Sequence, residues 1–314
     1  MRLSIITINY NNKNGFQKTI DSVISQTFTD FEWIVIDGGS TDGSKELIEQ
    51  YKSNISYWVS EPDQGIYNAM NKGIRVANGE YCLFLNSGDR LHDSKVLEYV
   101  LMEFDGTDFI YGNICLIDSN YQYIKVRETP AKMSAYYLLE DALCHQCVFI
   151  KTELLKQRPY DETLKIVADW EEMFYEYLIN KRTYKHINII ISDYLCGGLS
   201  DQNGSLLIKE RRLIRNKYLN QKEQDIIYVK YLSQMNDDNS KMKLVDFACT
   251  SFMNRLYSEK EYREVFSVCK EKLYSNGTLC QKFLIWMSLH GCMNMIWLCY
   301  ICYIRFKKII NKII

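Results

Sequence analysis

The sequence predicts an α/β protein, with a mainly parallel sheet flanked by helices and then a helical C-terminal extension. Three observations predict it. Short β-branched runs alternate with helical periodicities through residues 1–90, each apolar run ends in a cluster of Asn, Asp, Ser or Gly, and beyond residue 205 long charged and apolar helical patterns replace the strand signals.

The elements follow in order. Leu3 to Ile8 is a buried strand running into the polar loop Asn9-Tyr10-Asn11-Asn12. Phe16, Ile20, Val23 and Ile24 recur at helical spacing, and Phe31 to Ile36 is a second strand, stopped by Asp37-Gly38-Gly39. Ser40-Thr41-Asp42 supplies N-cap candidates for a helix through Tyr51, and Tyr81 to Leu85 is a third strand ending at Asn86-Ser87-Gly88-Asp89. Ligands of open parallel sheets gather beyond the carboxyl ends of the strands, where these polar clusters lie.

The first domain is therefore set at 1–204 and a helical region at 205–314, with helices over Lys209 to Tyr218 and Tyr262 to Leu273. Phe283 to Ile304 is strongly apolar but interrupted by His290, Gly291 and Asn294, and it is followed by Arg305, Lys307, Lys308 and Lys312 without an acid. Segment 283–312 is expected to contact a membrane surface with a basic flank rather than span it; a core helix is the alternative.

Lys plus Arg number 38 against 39 for Asp plus Glu, so no global positive field exists to hold nucleic acid. The 47% apolar content is that of a globular chain. Eleven cysteines, an odd count in a large chain without a charged and then apolar leader, point to a reduced cytoplasmic setting. Cys144 and Cys147, like Cys299 and Cys302, lie in apolar runs and are expected as buried thiols rather than zinc ligands.

Gly38 to Gly43 follows a strand and precedes a helix, as phosphate loops do, but Ser44 precedes Lys45 where a P-loop needs the reverse, and no G-x-G-x-x-G pattern fits. Asp37 is suited to accepting hydrogen bonds from a base edge or ribose, whereas Asp42 can simply cap the next helix. Asp89, beside Asn86 at a strand end, offers the oxygen ligand that Mg²⁺ or Mn²⁺ uses when it bridges two phosphates.

These residues resemble family 2 of the inverting glycosyltransferases, which have the GT-A fold. The resemblance covers roughly residues 1–200. It is carried by Leu3 to Asn11, by Ser25-Gln26-Thr27-Phe28 through Ile36-Asp37-Gly38-Gly39-Ser40-Thr41-Asp42-Gly43, and by Gly79-Glu80-Tyr81 with Leu85-Asn86-Ser87-Gly88-Asp89. It implies that Thr7 and Tyr10 line the nucleoside pocket, that Asp37 bonds the base, and that Asp63 is the acid near the nucleoside. Asn86 to Asp89 matches the D-x-D region, with Asp89 holding the divalent cation, although Asn86 and Gly88 replace the usual carboxylates. Asp63 to Asn71 fits an Asp-x-Gly-Ile-Tyr-x-Ala-Met-Asn stretch of a branch that builds bacterial capsule, O-antigen or exopolysaccharide units.

Asp169, in Ala168-Asp169-Trp170-Glu171, resembles the family's Glu-Asp catalytic motif, with Ala in place of the Glu; Trp170 is a candidate sugar platform. His145, followed by Gln146, aligns with a His-Gln of the same branch and is expected at the diphosphate or the acceptor. Gly197-Gly198-Leu199-Ser200 is a candidate closing loop. The expected partners are a UDP-sugar or other nucleotide-sugar donor and a glycan or lipid-linked glycan acceptor, the latter at the inner face of a bacterial plasma membrane. Two other readings differ in their products: a nucleotidyltransferase would release pyrophosphate, and a non-catalytic sugar-nucleotide-binding protein would release nothing.

Overall fold

The computed structural model describes residues 2–235 and, beyond them, 239–240, 243–244, 246–248 and 265–266. The segment 283–312, the Tyr262 to Leu273 helix apart from residues 265–266, and the Cys299–Cys302 pair lie outside the described residues. The chain divides into two compact units, Met1–Ile214 and Arg215–Ile314.

The first unit opens with β1 (Leu3–Asn9), α1 (Lys13–Ile24), β2 (Phe31–Asp37), α2 (Ser44–Gln50), β3 (Tyr57–Ser60), α3 (Ile66–Val76) and β4 (Tyr81–Phe84). All residues of β1 and β4 are buried, so these runs are apolar on both faces rather than alternating. Phe16, Ile20 and Val23 turn the apolar face of α1 inward, while Ile24 falls outside it at 43% exposure. The four strands are parallel, in the order β3-β2-β1-β4.

The chain continues through β5 (Arg90–Leu91), α4 (Val96–Met102), β6 (Phe109–Ile117), β7 (Tyr123–Arg127) and α5 (Ala135–Glu140). A 3-10 turn at His145–Cys147 leads into β8 (Val148–Lys151), α6 (Thr152–Gln157), α7 (Ala168–Leu178), β9 (Tyr184–Leu195), α8 (Leu199–Gln202) and α9 (Gly204–Tyr218). The sheet extends from β4 through β8, β6 and β9 to β5, with β7 paired to β6. Its direction changes at β4–β8, which is antiparallel, and β6–β9 returns to parallel. β4 therefore delivers Asn86 to Asp89 at the same end of the sheet from which the His145–Cys147 turn feeds β8.

The boundary between units falls at 214/215 rather than 204/205. The reason is α9, whose Glu210 carboxylate accepts the backbone N–H groups of Lys165 and Ile166 at 2.9 and 3.0 Å. Arg211 also stacks its guanidinium 5.3 Å from the centroid of Trp170. In the second unit, α10 (Gln221–Gln234) starts with a reciprocal cap between Asn220 and Glu223. Among the described residues, no helix is long and apolar enough to cross a membrane.

Candidate active site

The ends of β1 and β2 form the first part of the site. The Asp37 carboxylate is fully buried and accepts hydrogen bonds from Asn9 Nδ2 at 2.7 Å, the Ser40 hydroxyl at 2.5 Å, the Ser40 N–H at 2.9 Å and the Ser60 hydroxyl at 2.6 Å. Burial alone would raise its pKa, but these donors hold it below the usual carboxylate range. Asp37 therefore shapes the 38–42 loop, and the expectation that it reaches a base directly is corrected: both oxygens are already spent inside the protein.

Thr7 is also corrected. It is fully buried, and its hydroxyl accepts the Trp33 indole N–H at 3.0 Å, because β1 is covered on both faces. Tyr10, in contrast, is 68% exposed. A Cβ on Gly38 would lie 2.8 Å from Asp63 Oδ2 and 3.1 Å from Tyr10 Cδ2, so only glycine lets this tyrosine and this acid converge at the end of β2. Lys72 holds Asp63 at 2.7 Å. Asp42 accepts from Lys13 N at 2.7 Å and from Ser44 N at 3.0 Å, tying down the first residues of α1 and α2 with one carboxylate.

Beside this loop cluster a pocket of about 610 Å³ brings together Asn86, Asp89, His145 and Asp169. Asp89 is 5% exposed; its Oδ1 accepts the Leu195 N–H at 2.9 Å and its Oδ2 the Gln146 side-chain amide at 2.8 Å. Burial pushes its pKa up to about 6, with both hydrogen bonds offsetting part of the rise. Asp169, at the start of α7, accepts the Tyr67 hydroxyl on Oδ1 at 2.9 Å and pairs through Oδ2 with His145 Nδ1 at 2.8 Å. Burial opposes the charge on Asp169, yet His145 and Tyr67 together bring its pKa below the ordinary value.

The other imidazole nitrogen, Nε2, lies 2.9 Å from Asn86 Nδ2. With the amide so placed, Nε2 faces a donor and Nδ1–H donates to Asp169. The arrangement leaves Asn86 Oδ1 buried and without a protein partner. Neither Gln146 nor Tyr67 was given a role by the sequence. The signals were present only as the residue after His145 and the Tyr of the Asp63–Asn71 stretch.

Trp170 is 2% exposed and donates its indole N–H to Leu138 O at 2.9 Å, so it supports the floor of the pocket and offers no open sugar platform. Glu171, two residues on from Asp169, is 1% exposed and pairs with Arg158 at 2.5 Å. Residues 197–200 line the pocket, and Asp201 Oδ2 holds the Gly197 N–H at 2.7 Å. Cys147 is buried, and burial pushes the Cys144 thiol up to about 11, so both remain thiols at neutral pH.

For a divalent cation, the pocket offers the Asp89 carboxylate and the unpartnered Asn86 amide oxygen, both hard oxygen donors. That set suits Mg²⁺ or Mn²⁺ completed by phosphates and water. Among the described residues, His92, Cys115 and Asp193 also bring three possible ligand atoms within 4.8 Å, but Asp193 is already paired with Arg90 and His92, each at 2.6 Å.

The model of the glycosyl transferase family 2 matches residues 4–194, more than half of the chain. The chain belongs to this family. This family 2 glycosyltransferase is 27% identical over 190 residues to a PGL/p-HBAD biosynthesis glycosyltransferase of Mycobacterium bovis (strain BCG / Pasteur 1173P2), which covers 58% of this chain and 72% of that one. It is 33% identical over 177 residues to an uncharacterised glycosyltransferase of Mycobacterium tuberculosis (strain CDC 1551 / Oshkosh), over 54% of this chain and 66% of the relative. Among solved structures, S. aureus TarS 1-349 in complex with UDP superposes with a TM-score of 0.55 at 16% identity, over 94% of this chain and 88% of that chain. Against the longer TarS structure the TM-score is 0.56, and the match spans about half, 52%, of that chain. A mannosyltransferase from Pyrobaculum calidifontis in complex with GDP-Man and Mn²⁺ gives 0.50 at 12% identity, over 94% of this chain and 83% of that one. The fold of the glycosyltransferase is GT-A.

Proposed function

We propose that this glycosyltransferase is an inverting enzyme that moves a hexosyl or N-acetylhexosaminyl group from a nucleoside-diphosphate sugar to a hydroxyl of a glycan or lipid-linked glycan. The observation that carries the reading is the pocket itself. It presents the Asp169 carboxylate, paired with His145, together with Asp89 and Asn86. Solved relatives bound to UDP, UDP-GlcNAc and GDP-Man support the donor class.

In this mechanism Asp169 takes the proton of the acceptor hydroxyl as that oxygen attacks the anomeric carbon from the face opposite the diphosphate. The carbon–oxygen bond to the diphosphate breaks, its electron pair leaves with the nucleoside diphosphate, and an α-linked donor yields a β-linkage. Tyr10 and Asp63 meet the nucleoside, and Asp37 holds their loop. His145 keeps Asp169 charged and in place. A divalent cation would be held by Asp89, with Asn86 beside it, and would supply positive charge against the departing diphosphate.

The mycobacterial relative is named for PGL/p-HBAD biosynthesis, and this supports a role in building a bacterial glycoconjugate of surface-glycan type. The apolar, basic-flanked segment 283–312 supports peripheral attachment to the inner face of the plasma membrane.

The test is a screen of UDP-, GDP- and dTDP-sugars with Mn²⁺ or Mg²⁺, reading donor binding by thermal shift and turnover by nucleoside diphosphate release. One donor is expected to bind, to bind more weakly in Asp37→Ala, and to lose hydrolysis in Asp89→Ala. Asp169→Asn should bind that donor normally yet transfer about 10²–10⁴-fold more slowly, the usual worth of a positioned base. Release of pyrophosphate would assign a nucleotidyltransferase, and a folded protein that binds no donor would be a non-catalytic relative.

A further inference from the structure

The Asp63–Asn71 stretch has no role in the mechanism above beyond Asp63, yet its helix reaches into the pocket. Tyr67, the second residue of α3, is 4% exposed, its ring lies 5.6 Å from that of Tyr160, and its hydroxyl donates to Asp169 Oδ1 at 2.9 Å. One turn later, Asn71 donates to Tyr160 O at 2.9 Å and Glu162 Oε1 at 2.8 Å and accepts from Tyr160 N at 3.0 Å. Asn68 holds the other oxygen of Glu162 at 2.8 Å. These amides fix the segment that leads into α7 and so places Asp169.

The helix is equally fixed to the sheet. A Cβ on Gly73 would come within 2.5 Å of Ile6 Cγ2, so α3 lies against β1 closer than any other residue there would allow. From the same helix Lys72 holds Asp63 and Glu61 at 2.7 and 2.8 Å. One rigid rod thus carries the partner of the nucleoside-side acid and the partner of the base.

We propose that Tyr67 is the positioning residue of the base, its hydroxyl fixing the Asp169 carboxylate in one rotation and in its ionised form while His145 holds the other oxygen. The inference rests on the reading of Asp169 as base. Burial, and then the charge of Asp169, push the Tyr67 phenol well above its usual range, so it remains a donor throughout the working pH range. His145, Tyr67, Tyr160 and Cys144 interact with Asp169, and Asp89, Arg127, Asp141, Lys165 and Arg211 line the same pocket. The two phenols and the thiol are kept neutral by burial.

The experiment compares Tyr67→Phe with the unmodified full chain, after thermal unfolding has verified the fold. Loss of one hydrogen bond to a charged group is expected to lower kcat about tenfold or more, to leave the donor KM unchanged, and to move the acid limb of the kcat profile up by about one pH unit. The same upward shift is expected in a His145→Gln background, which removes the imidazole. In an Asp169→Asn background the Tyr67→Phe change should have no further effect. Unchanged kcat and profile, or a raised donor KM with kcat intact, would overturn the proposal. If Asp169→Asn itself transfers at the normal rate, the underlying reading fails; if it abolishes transfer and Tyr67→Phe does not slow it, only this inference fails. Should Tyr67→Phe not fold, site-specific fluorotyrosine at 67 keeps the ring and strengthens the donor. The acid limb is then expected to move down, and an unmoved limb would overturn the proposal.

Discussion

Asp89 owes its orientation to Gln146, and the value of that contact depends on pH. Because burial places the Asp89 pKa at about 6, the carboxyl is charged and in need of donors at pH 8 but neutral at pH 5. Gln146→Leu should therefore cost about 1–3 kcal/mol of stability at pH 8 and less at pH 5, measured as unfolding midpoints in denaturant at the two pH values. An equal cost at both would show that Gln146 matters for packing alone. Asn86, Asp89, His145 and Asp169 could be named from their motifs, and the fold brings them into one pocket. Gln146 and Tyr67 were legible as letters but not as partners, since their bonds reach 57 and 102 residues along the chain. Thr7 misled because a fully buried strand gives no alternation from which to tell a pocket-facing side chain from a core one.

At the scale of the element, α7 departs furthest from its sequence pattern. Its charged residues look from their spacing like a helix surface, and Glu171, Glu172 and Glu176 are all buried, against Arg158 and Arg182 from flanking segments. The countercharges come from outside the helix, so no helical periodicity could announce them. Burial pushes Glu172 up to about 8, with Arg158 offsetting part of that and Glu176 adding to it. A carboxyl with a raised folded-state pKa binds its proton more tightly in the native state. Its contribution is therefore fully present below about 4.5, declines as pH rises, and is gone above about 8, with a slope of about 1.4 kcal/mol per pH unit at most. Glu172→Gln should flatten the decline of the melting temperature between pH 5 and 8 by calorimetry, while keeping donor binding. A decline as steep as in the unsubstituted chain would place the proton elsewhere.

For the whole molecule, β1, β2 and β4 of the parallel β3-β2-β1-β4 half were legible because each announces itself by an apolar run and a polar stop, whereas β3, the short and partly exposed Tyr57–Ser60, carries no such run and was not read. The β8, β6, β9 and β5 half was not. Its pairings join strands far apart in sequence, and β5 is only Arg90–Leu91. The first turns of α9 go with the first unit, 1–214, through contacts equally distant in sequence, since those of Glu210 and Arg211 are made to residues 165–170. A fragment ending at Tyr218 should thus keep the donor affinity of the full chain, whereas one ending at 204 should melt several degrees lower. Titrating both fragments with the donor and recording their unfolding curves checks this, and equal melting temperatures would mean that α9 adds nothing to the first unit.

The reversal of strand direction between β4 and β8 also governs how such an enzyme can diversify. The Asn86 to Asp89 turn leaves β4 and the His145–Cys147 turn enters β8 on either side of that seam, while the hairpin turn, β7 and α5 over residues 118–142 branch from β6 and pack back on β6 and α7. Arg127 and Asp141, in this branch, form part of the pocket wall. A chimera that exchanges residues 118–142 between two family members, keeping the buried Met133, Leu138 and Leu139, is therefore expected to carry its acceptor choice with the exchanged piece.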